Sequence, residues 1–234
     1  MHRFFCDRKE NEHFVLDEST LHHVKVARLQ NENFLINYDN NFYVCSLVSN
    51  TNLAKIIEKV DINHEFSQDL VLSAPIIKPD RFEWMLEKSV ELGVKHIIPM
   101  RSQYVNNKLI EANFNEKKYV RYRTKIKEAA QQSFRNIIPT ISPVSSLKEI
   151  VNQYLAQNYT IYVAHEKVNS KAQLSNLSTQ SVLIAGPEGG LSDQEIEWLI
   201  SLNNANVKIV SLGKTILRAE TAAISMLANV REEQ

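Results

Sequence analysis

At 234 residues, with 44% hydrophobic and 23% charged side chains, the chain is long enough to bury a core of its own, as one large domain or two modest ones, without leaning on metals or disulfides. Lys plus Arg and Asp plus Glu each number 27, and a formal net charge of zero argues against a protein that coats nucleic acid through bulk electrostatics. No run of about 18 apolar residues is available to span a bilayer, and the opening Met1–Arg8 stretch turns charged before a signal-length apolar segment accumulates, so a cytoplasmic protein is expected.

Residues 1–67 read as short strands separated by turns, at His13–Leu16, Phe34–Tyr38, Phe42–Val48 and Ala54–Val60. Between the second and third, Asp39-Asn40-Asn41 supplies residues that tolerate the left-handed backbone of a tight hairpin. The pattern predicts a small β-barrel or sandwich. Cys6 and Cys45 stand far apart without a CxxC or a neighbouring His, so both are expected to be reduced and structural, with neither a disulfide nor a metal site.

From Asp69 the texture changes to apolar strands alternating with amphipathic helices, which predicts a mostly parallel sheet covered by helices. Leu70–Ala74 and His96–Met100 read as strands on either side of a helix from about Asp80 to Leu92, where Phe82, Met85, Leu86 and Val90 recur at helical spacing and Gly93 marks the stop. Glu116 to Ser133 is helical by the same criterion. Tyr119, Tyr122, Ile126 and Ala129 form one stripe and leave Lys118, Arg121, Arg123, Lys125 and Lys127 largely off it. Residues 101–135 carry nine Lys and Arg against three Asp and Glu, the positive excess of the whole chain, which fits either a solvated basic helix or a track for a polyanion. Ser146 opens a further helix, and Thr160–Ala164, Val182–Ala185 and Val207–Leu212 read as buried strands.

Only five glycines occur, and four of them lie just after the last two of these strands, at Gly186, Gly189, Gly190 and Gly213. Glycine is needed where the backbone takes positive φ or where a ligand approaches the main chain, and ligands of open α/β sheets sit outside the carboxyl ends of strands. The loops are thus either tight turns or a ligand site. In the first, Ser192 and Glu195 make a capping box and Leu191 staples against Ile196. Neither a Walker loop nor GxGxxG is present, which disfavours an ATPase or a dinucleotide enzyme.

Gly186-Pro187-Glu188-Gly189-Gly190-Leu191-Ser192, paired with Leu212-Gly213-Lys214-Thr215-Ile216-Leu217-Arg218-Ala219-Glu220-Thr221-Ala222, resembles the C-terminal signature of the SPOUT methyltransferases. More narrowly it is similar to the RsmE family, which methylates N3 of a uridine in small-subunit rRNA. Arg3-Phe4-Phe5, His22 to Arg28, Lys88 to Val94 and Glu128 to Arg135 extend the likeness over nearly the full chain. Departures are local. Lys25 stands where the family commonly has Arg, Asn31-Glu32 replaces a Gly-Asp turn, and Asn40-Asn41 replaces a Gly-containing hairpin.

The resemblance implies an α/β protein, a SPOUT-type domain over 68–234 with a C-terminal trefoil knot, preceded by a PUA-like β-barrel over 1–67 that helps hold RNA. It implies a homodimer that methylates 16S rRNA, within the small ribosomal subunit, with S-adenosyl-L-methionine as cofactor. The cofactor residues would be His165, Gly186, Pro187, Gly190, Ser211, Leu212, Gly213, Ile216, Leu217 and Ala222. Arg218 and Glu220 are the catalytic candidates, the first for charge on the uracil oxygens or a phosphate, the second as proton acceptor or as orienter of Arg218. Arg3, Lys25, Arg28, Arg101, Arg121, Arg123 and Arg135 are the RNA-binding candidates. Two other readings stay open: a SPOUT enzyme with another base or a ribose 2′-hydroxyl as target, and a non-catalytic RNA-binding or ribosome-assembly protein.

Overall fold

The computed structural model describes residues 1–166 and 176–232. The chain divides into two units, Met1–Glu65 with Ala130–Ile137, and Phe66–Ala129 with Ile138–Gln234.

The first unit contains β1 (Arg3–Phe5), β2 (Lys9–Glu10), β3 (His13–Val15), α1 (Glu18–Val26), β4 (Asn33–Tyr38), β5 (Asn41–Leu47) and β6 (Leu53–Val60). They form a six-stranded sheet in the order β1-β4-β5-β6-β3-β2, in which β1 runs parallel to β4 and the other pairs are antiparallel. The β4–β5 hairpin pairs Tyr38 with Asn41 across Asp39 (φ 49°) and Asn40 (φ 60°). Two positive-φ residues in a two-residue loop make the primed turn that matches strand twist, and Asp and Asn bear it without glycine. The helix α1 does not announce itself in the sequence, because only Thr20 and Val24 on it are buried; Asp17 caps it by accepting from the Thr20 amide at 2.6 Å.

Alternation along the strands feeds two cores. Phe34 and Ile36 join Phe4, Phe14, Val24 and Leu29 on one face, whereas Leu35, Phe42 and Val44 look the other way. Phe134 covers that second face, its ring 5.0 Å from that of Phe42. The Ala130–Ile137 segment, read in the sequence as the tail of a helix and its exit, is therefore part of the strand-rich unit. Glu65 fastens it: its carboxylate accepts from Arg135 Nε (2.8 Å) and Nη2 (2.6 Å) and from the Asn136 amide (2.7 Å). Burial alone would raise the Glu65 carboxyl, but Arg135 and the Asn136 and Ile137 amides outweigh it and hold it below its ordinary value.

The second unit is built on β7 (Leu70–Pro75), β8 (His96–Arg101), β9 (Thr140–Ile141), β10 (Ser145–Ser146), β11 (Thr160–Ala164), β13 (Ser181–Ile184) and β14 (Val207–Val210). The sheet order is β10-β8-β7-β13-β11-β14 with β9 beside β8, and every pair is parallel. All residues of β7 and β13 are buried, which is why these central strands read as apolar runs. Short strands β12 (Leu177–Ser178) and β15 (Val230–Arg231) pair separately. The helices are α2 (Pro79–Glu91), α3 (Asn107–Asn113), α4 (Glu116–Gln132), α5 (Leu147–Leu155), α6 (Asp193–Ser201) and α7 (Ala219–Ala228). Although α7 follows the edge strand β14, it packs against α2, β7 and β13. The connecting loop must therefore cross from the sheet edge back toward its centre.

Candidate functional site

Because the strands are parallel, β7, β11, β13 and β14 end at the same side of the sheet, and their following loops converge there. They enclose a cleft of about 630 Å³, within the range of small-ligand sites. Its walls are His165 and Glu166 after β11, Gly186–Leu191 after β13, Ser211–Gly213 and Thr215–Ala219 after β14, and Ala222 on α7. Lys78 and Arg81 at the start of α2, with Tyr104 after β8, complete it. All ten residues expected to hold a cofactor are brought together in this one cleft. The loop after Ala164 is described through Glu166, and its continuation lies outside the described residues.

Local forces set each wall. At Gly186 a Cβ would stand 2.9 Å from the Gly190 carbonyl carbon and 2.9 Å from the Leu191 nitrogen, so the loop folds onto its own backbone and no side chain fits. Gly190 (φ 73°) closes the turn by donating its N–H to the Pro187 carbonyl at 2.8 Å. The capping box forms as the sequence predicts, with the Glu195 amide donating to Ser192 Oγ (3.2 Å) and the Ser192 amide to Glu195 Oε2 (2.8 Å). Glu195 Oε1 also accepts from the Gln103 amide at 2.9 Å, which ties the loop after β8 to the same corner. Leu191 and Ile196 are buried in one core cluster. The His165 amide donates to the Val210 carbonyl at 3.0 Å, extending the β11–β14 ladder to the cleft rim.

The charged groups are arranged differently from the sequence expectation. Arg218 is the N-cap residue of α7 and is exposed, with no side-chain capping bond. Glu220, in the first turn of α7, is 7% exposed, and the cation beside it is Arg81: Nε stands 3.7 Å from Glu220 Oε1. Arg81 Nη1 also donates to Glu188 Oε1 at 2.9 Å. Glu220 Oε2 has no hydrogen-bond partner among the described residues. Sequence reasoning missed Lys78 and Arg81. A usable signal existed, since they follow β7 as the glycine loops follow β13 and β14, and the carboxyl-end rule applies to all the strands alike.

A model of the RNA methyltransferase domain matches residues 64–231. Ribosomal RNA small subunit methyltransferase E of Mesomycoplasma hyopneumoniae is 39% identical over 228 residues, 97% of this chain and 97% of its own. The chain belongs to the ribosomal RNA small subunit methyltransferase E family. The enzyme of that name from Bacillus subtilis is 29% identical over 184 residues, 75% of this chain and 70% of that one. The crystal structure of the family member from Neisseria gonorrhoeae, bound to S-adenosyl methionine, superposes with a TM-score of 0.80 at 26% identity, covering 97% of this chain and 95% of that one.

Within this family member, the residues expected to meet RNA fall into distinct environments. Lys25 and Arg28 are exposed at the end of α1, Arg28 at φ 58°, and Arg101 is exposed at the end of β8. Arg121 and Arg123 lie on the exposed side of α4, the first held in a fork by Glu83 at 2.6 and 2.7 Å and the second 3.2 Å from Glu116. Lys125 pairs with Glu87 at 2.6 Å, so part of the basic excess is neutralised within the unit. Arg3 is half-buried and spends its guanidinium on the last carbonyls of α4, Gln131 (2.6 Å) and Gln132 (2.8 Å), with its Cζ 4.5 Å from the Phe134 ring centre. Arg135 is a correction. It is 3% exposed and forked onto Glu65, so it braces the first unit and is not available to a phosphate.

Proposed function

We propose that this chain transfers the methyl group of S-adenosyl-L-methionine to N3 of a single uridine in 16S rRNA. The observation that carries the reading is the convergence of both family loops on one cleft at the carboxyl ends of β11, β13 and β14. The residues fit the cofactor on structural grounds. Gly186, Gly189 and Gly190 put no side chain between the cleft and the main chain, so a ligand there meets loop amides and carbonyls, while Ile216, Leu217 and Ala222 offer apolar wall. When bound, S-adenosyl-L-methionine would supply a methyl carbon on a positively charged sulfur; in-line attack by N3 forms the N–C bond as the C–S bond breaks to leave a neutral thioether, and the N3 proton is lost to water.

What remains for the protein is alignment and proton removal. Holding the uracil edge against the methyl carbon contributes most of the acceleration, and assistance at the N3 proton a smaller factor. Arg218, exposed on the cleft wall, is suited to the charge that spreads onto the uracil oxygens as the N3 proton leaves. Glu220 lies behind that wall, with Oε1 toward Arg81, which suits the orienting role better than direct proton acceptance; the guanidinium it orients is that of Arg81.

The same reading assigns the remaining family features. The mixed six-stranded sheet of the first unit supports a PUA-like barrel that holds RNA through Lys25 and Arg28, with Arg101, Arg121 and Arg123 of the second unit as further phosphate contacts. The return of the chain from edge strand β14 to α7 on β7 and β13 supports the trefoil knot. The homodimer belongs to the same reading, with Ile200 on α6, 62% exposed, as an apolar side chain for the partner to cover. Among the described residues no helix is long and apolar enough to cross a membrane. Incubation with labelled S-adenosyl-L-methionine and small ribosomal subunits from cells lacking the protein tests the proposal. Label should enter the RNA, and Arg218→Ala should lower turnover about 100-fold while cofactor affinity changes little. A folded protein that binds the cofactor but labels no RNA would overturn it.

A further inference from the structure

The charged arrangement around Arg81 is more than the orienting of one residue by another. Arg81 sits in the first turn of α2 and lines the cleft with its side chain one-third exposed. It is shared by two carboxylates of opposite character. Glu220 is on helix α7 with its side chain 9% exposed, while Glu188 is on the loop after β13 with its side chain 53% exposed. An exposed ion pair contributes little net attraction, so Glu188 exchanges readily with another anion. A buried carboxylate whose cation leaves stays unpaired at much greater cost, so Glu220 stays with Arg81. Only the exposed side of the guanidinium is therefore open to exchange, and it is the side that faces the cleft.

The planar guanidinium fork matches carboxylate and phosphate oxygens alike. Glu188 places a carboxylate oxygen 2.9 Å from Nη1, where an incoming anionic oxygen would bind. We propose that Arg81 binds a backbone phosphate of the RNA strand that delivers the target base, that Glu188 is the internal anion this phosphate displaces, and that Glu220 is the fixed anchor. The proposal rests on the methyltransferase reading above. Its consequence is counterintuitive: deleting the acidic partner of an ion pair at the site strengthens substrate binding.

The test measures affinity for small ribosomal subunits lacking the mark, and separately for S-adenosyl-L-methionine, in the wild type, Glu188→Gln, Arg81→Ala and the double variant. Glu188→Gln should tighten RNA binding about threefold, the size of one exposed pair. Arg81→Ala should weaken RNA binding about tenfold. In the Arg81→Ala background Glu188→Gln should give no gain, because the competition it removes no longer exists. Weaker RNA or cofactor binding in Glu188→Gln would make the pair a loop brace and overturn the proposal. An equal gain with and without Arg81 would make it a general charge effect and also overturn it. Should Arg81→Ala fold poorly by its thermal midpoint, Arg81→Lys keeps the charge without the fork and should give an intermediate loss; wild-type affinity there would count against the proposal. Absence of methyl transfer by the wild type sinks the functional reading, whereas transfer without a Glu188→Gln gain sinks only this inference.

Discussion

Replacing Gly186 with Ala is the most informative single change to the cofactor loop. Its Cβ would lie 2.9 Å from two backbone atoms, whereas ordinary contact begins at 3.4 Å, so the Gly190–Leu191 backbone must shift, by about 0.5 Å to restore ordinary contact. Neither contact is the end of a flexible side chain, and the neighbouring capping box at Ser192 and Glu195 resists the shift. Overpacking of this kind costs about 1–3 kcal/mol, and displacing binding amides by a fraction of an ångström should weaken S-adenosyl-L-methionine at least about tenfold. Gly190→Ala is the matched control. A Cβ there meets nothing within 4 Å, so its cost is the left-handed backbone alone, about 1–2 kcal/mol. Calorimetric titration of the cofactor into each variant, alongside thermal unfolding, separates the two. A Gly186→Ala protein that binds the cofactor like the wild type would refute the argument that this loop folds around it.

Other consequences follow from the ion pairs. Arg135→Ala should destabilise the protein by roughly 3 kcal/mol in urea unfolding, because it leaves Glu65 buried without its cation, and a variant of wild-type stability would contradict the bracing role. The Glu65 carboxyl titrates below its ordinary value of 4.5 in the folded state, so its contribution is complete above that value and is lost as pH falls through the lower folded pKa. Stability between pH 5 and pH 3, on the order of the range that acid titration covers, should therefore fall less steeply in Glu65→Gln than in the wild type. Arg123→Ala and Arg28→Ala should weaken rRNA binding and lower the salt slope by about one each, with no change in cofactor affinity; an unchanged slope would remove that residue from the RNA face.

Much of the second unit was legible because its signals are local and redundant. The apolar runs at Leu70–Ala74 and Val182–Ala185, the capping box at Ser192, and the four glycines that follow strands point to strand, helix start and strand-end loop, and the structure forms these elements and brings the glycine loops to one cleft. The β4–β5 turn was equally readable, since Asp39 and Asn40 are residues that tolerate positive φ. What escaped depends on contacts remote in sequence. Phe134 and Arg135 look like the end of a basic helix until Phe42 and Glu65 are placed beside them, and an Arg is read as a phosphate contact when its buried partner lies 70 residues away. Arg81 was passed over for a related reason. Its partners Glu188 and Glu220 come from the far end of the chain, so the local sign is its place after the carboxyl end of β7 alone.

The measurement that bears most directly on the account is positional mapping of the methyl mark. Small ribosomal subunits from cells lacking this protein would be methylated in vitro, the RNA digested with nucleases, and the fragments sequenced by mass spectrometry. One new N3-methyluridine should appear in 16S rRNA, at lower yield when Gly186→Ala replaces the wild type under limiting cofactor. A methyl group on a ribose 2′-hydroxyl or on another base would contradict it.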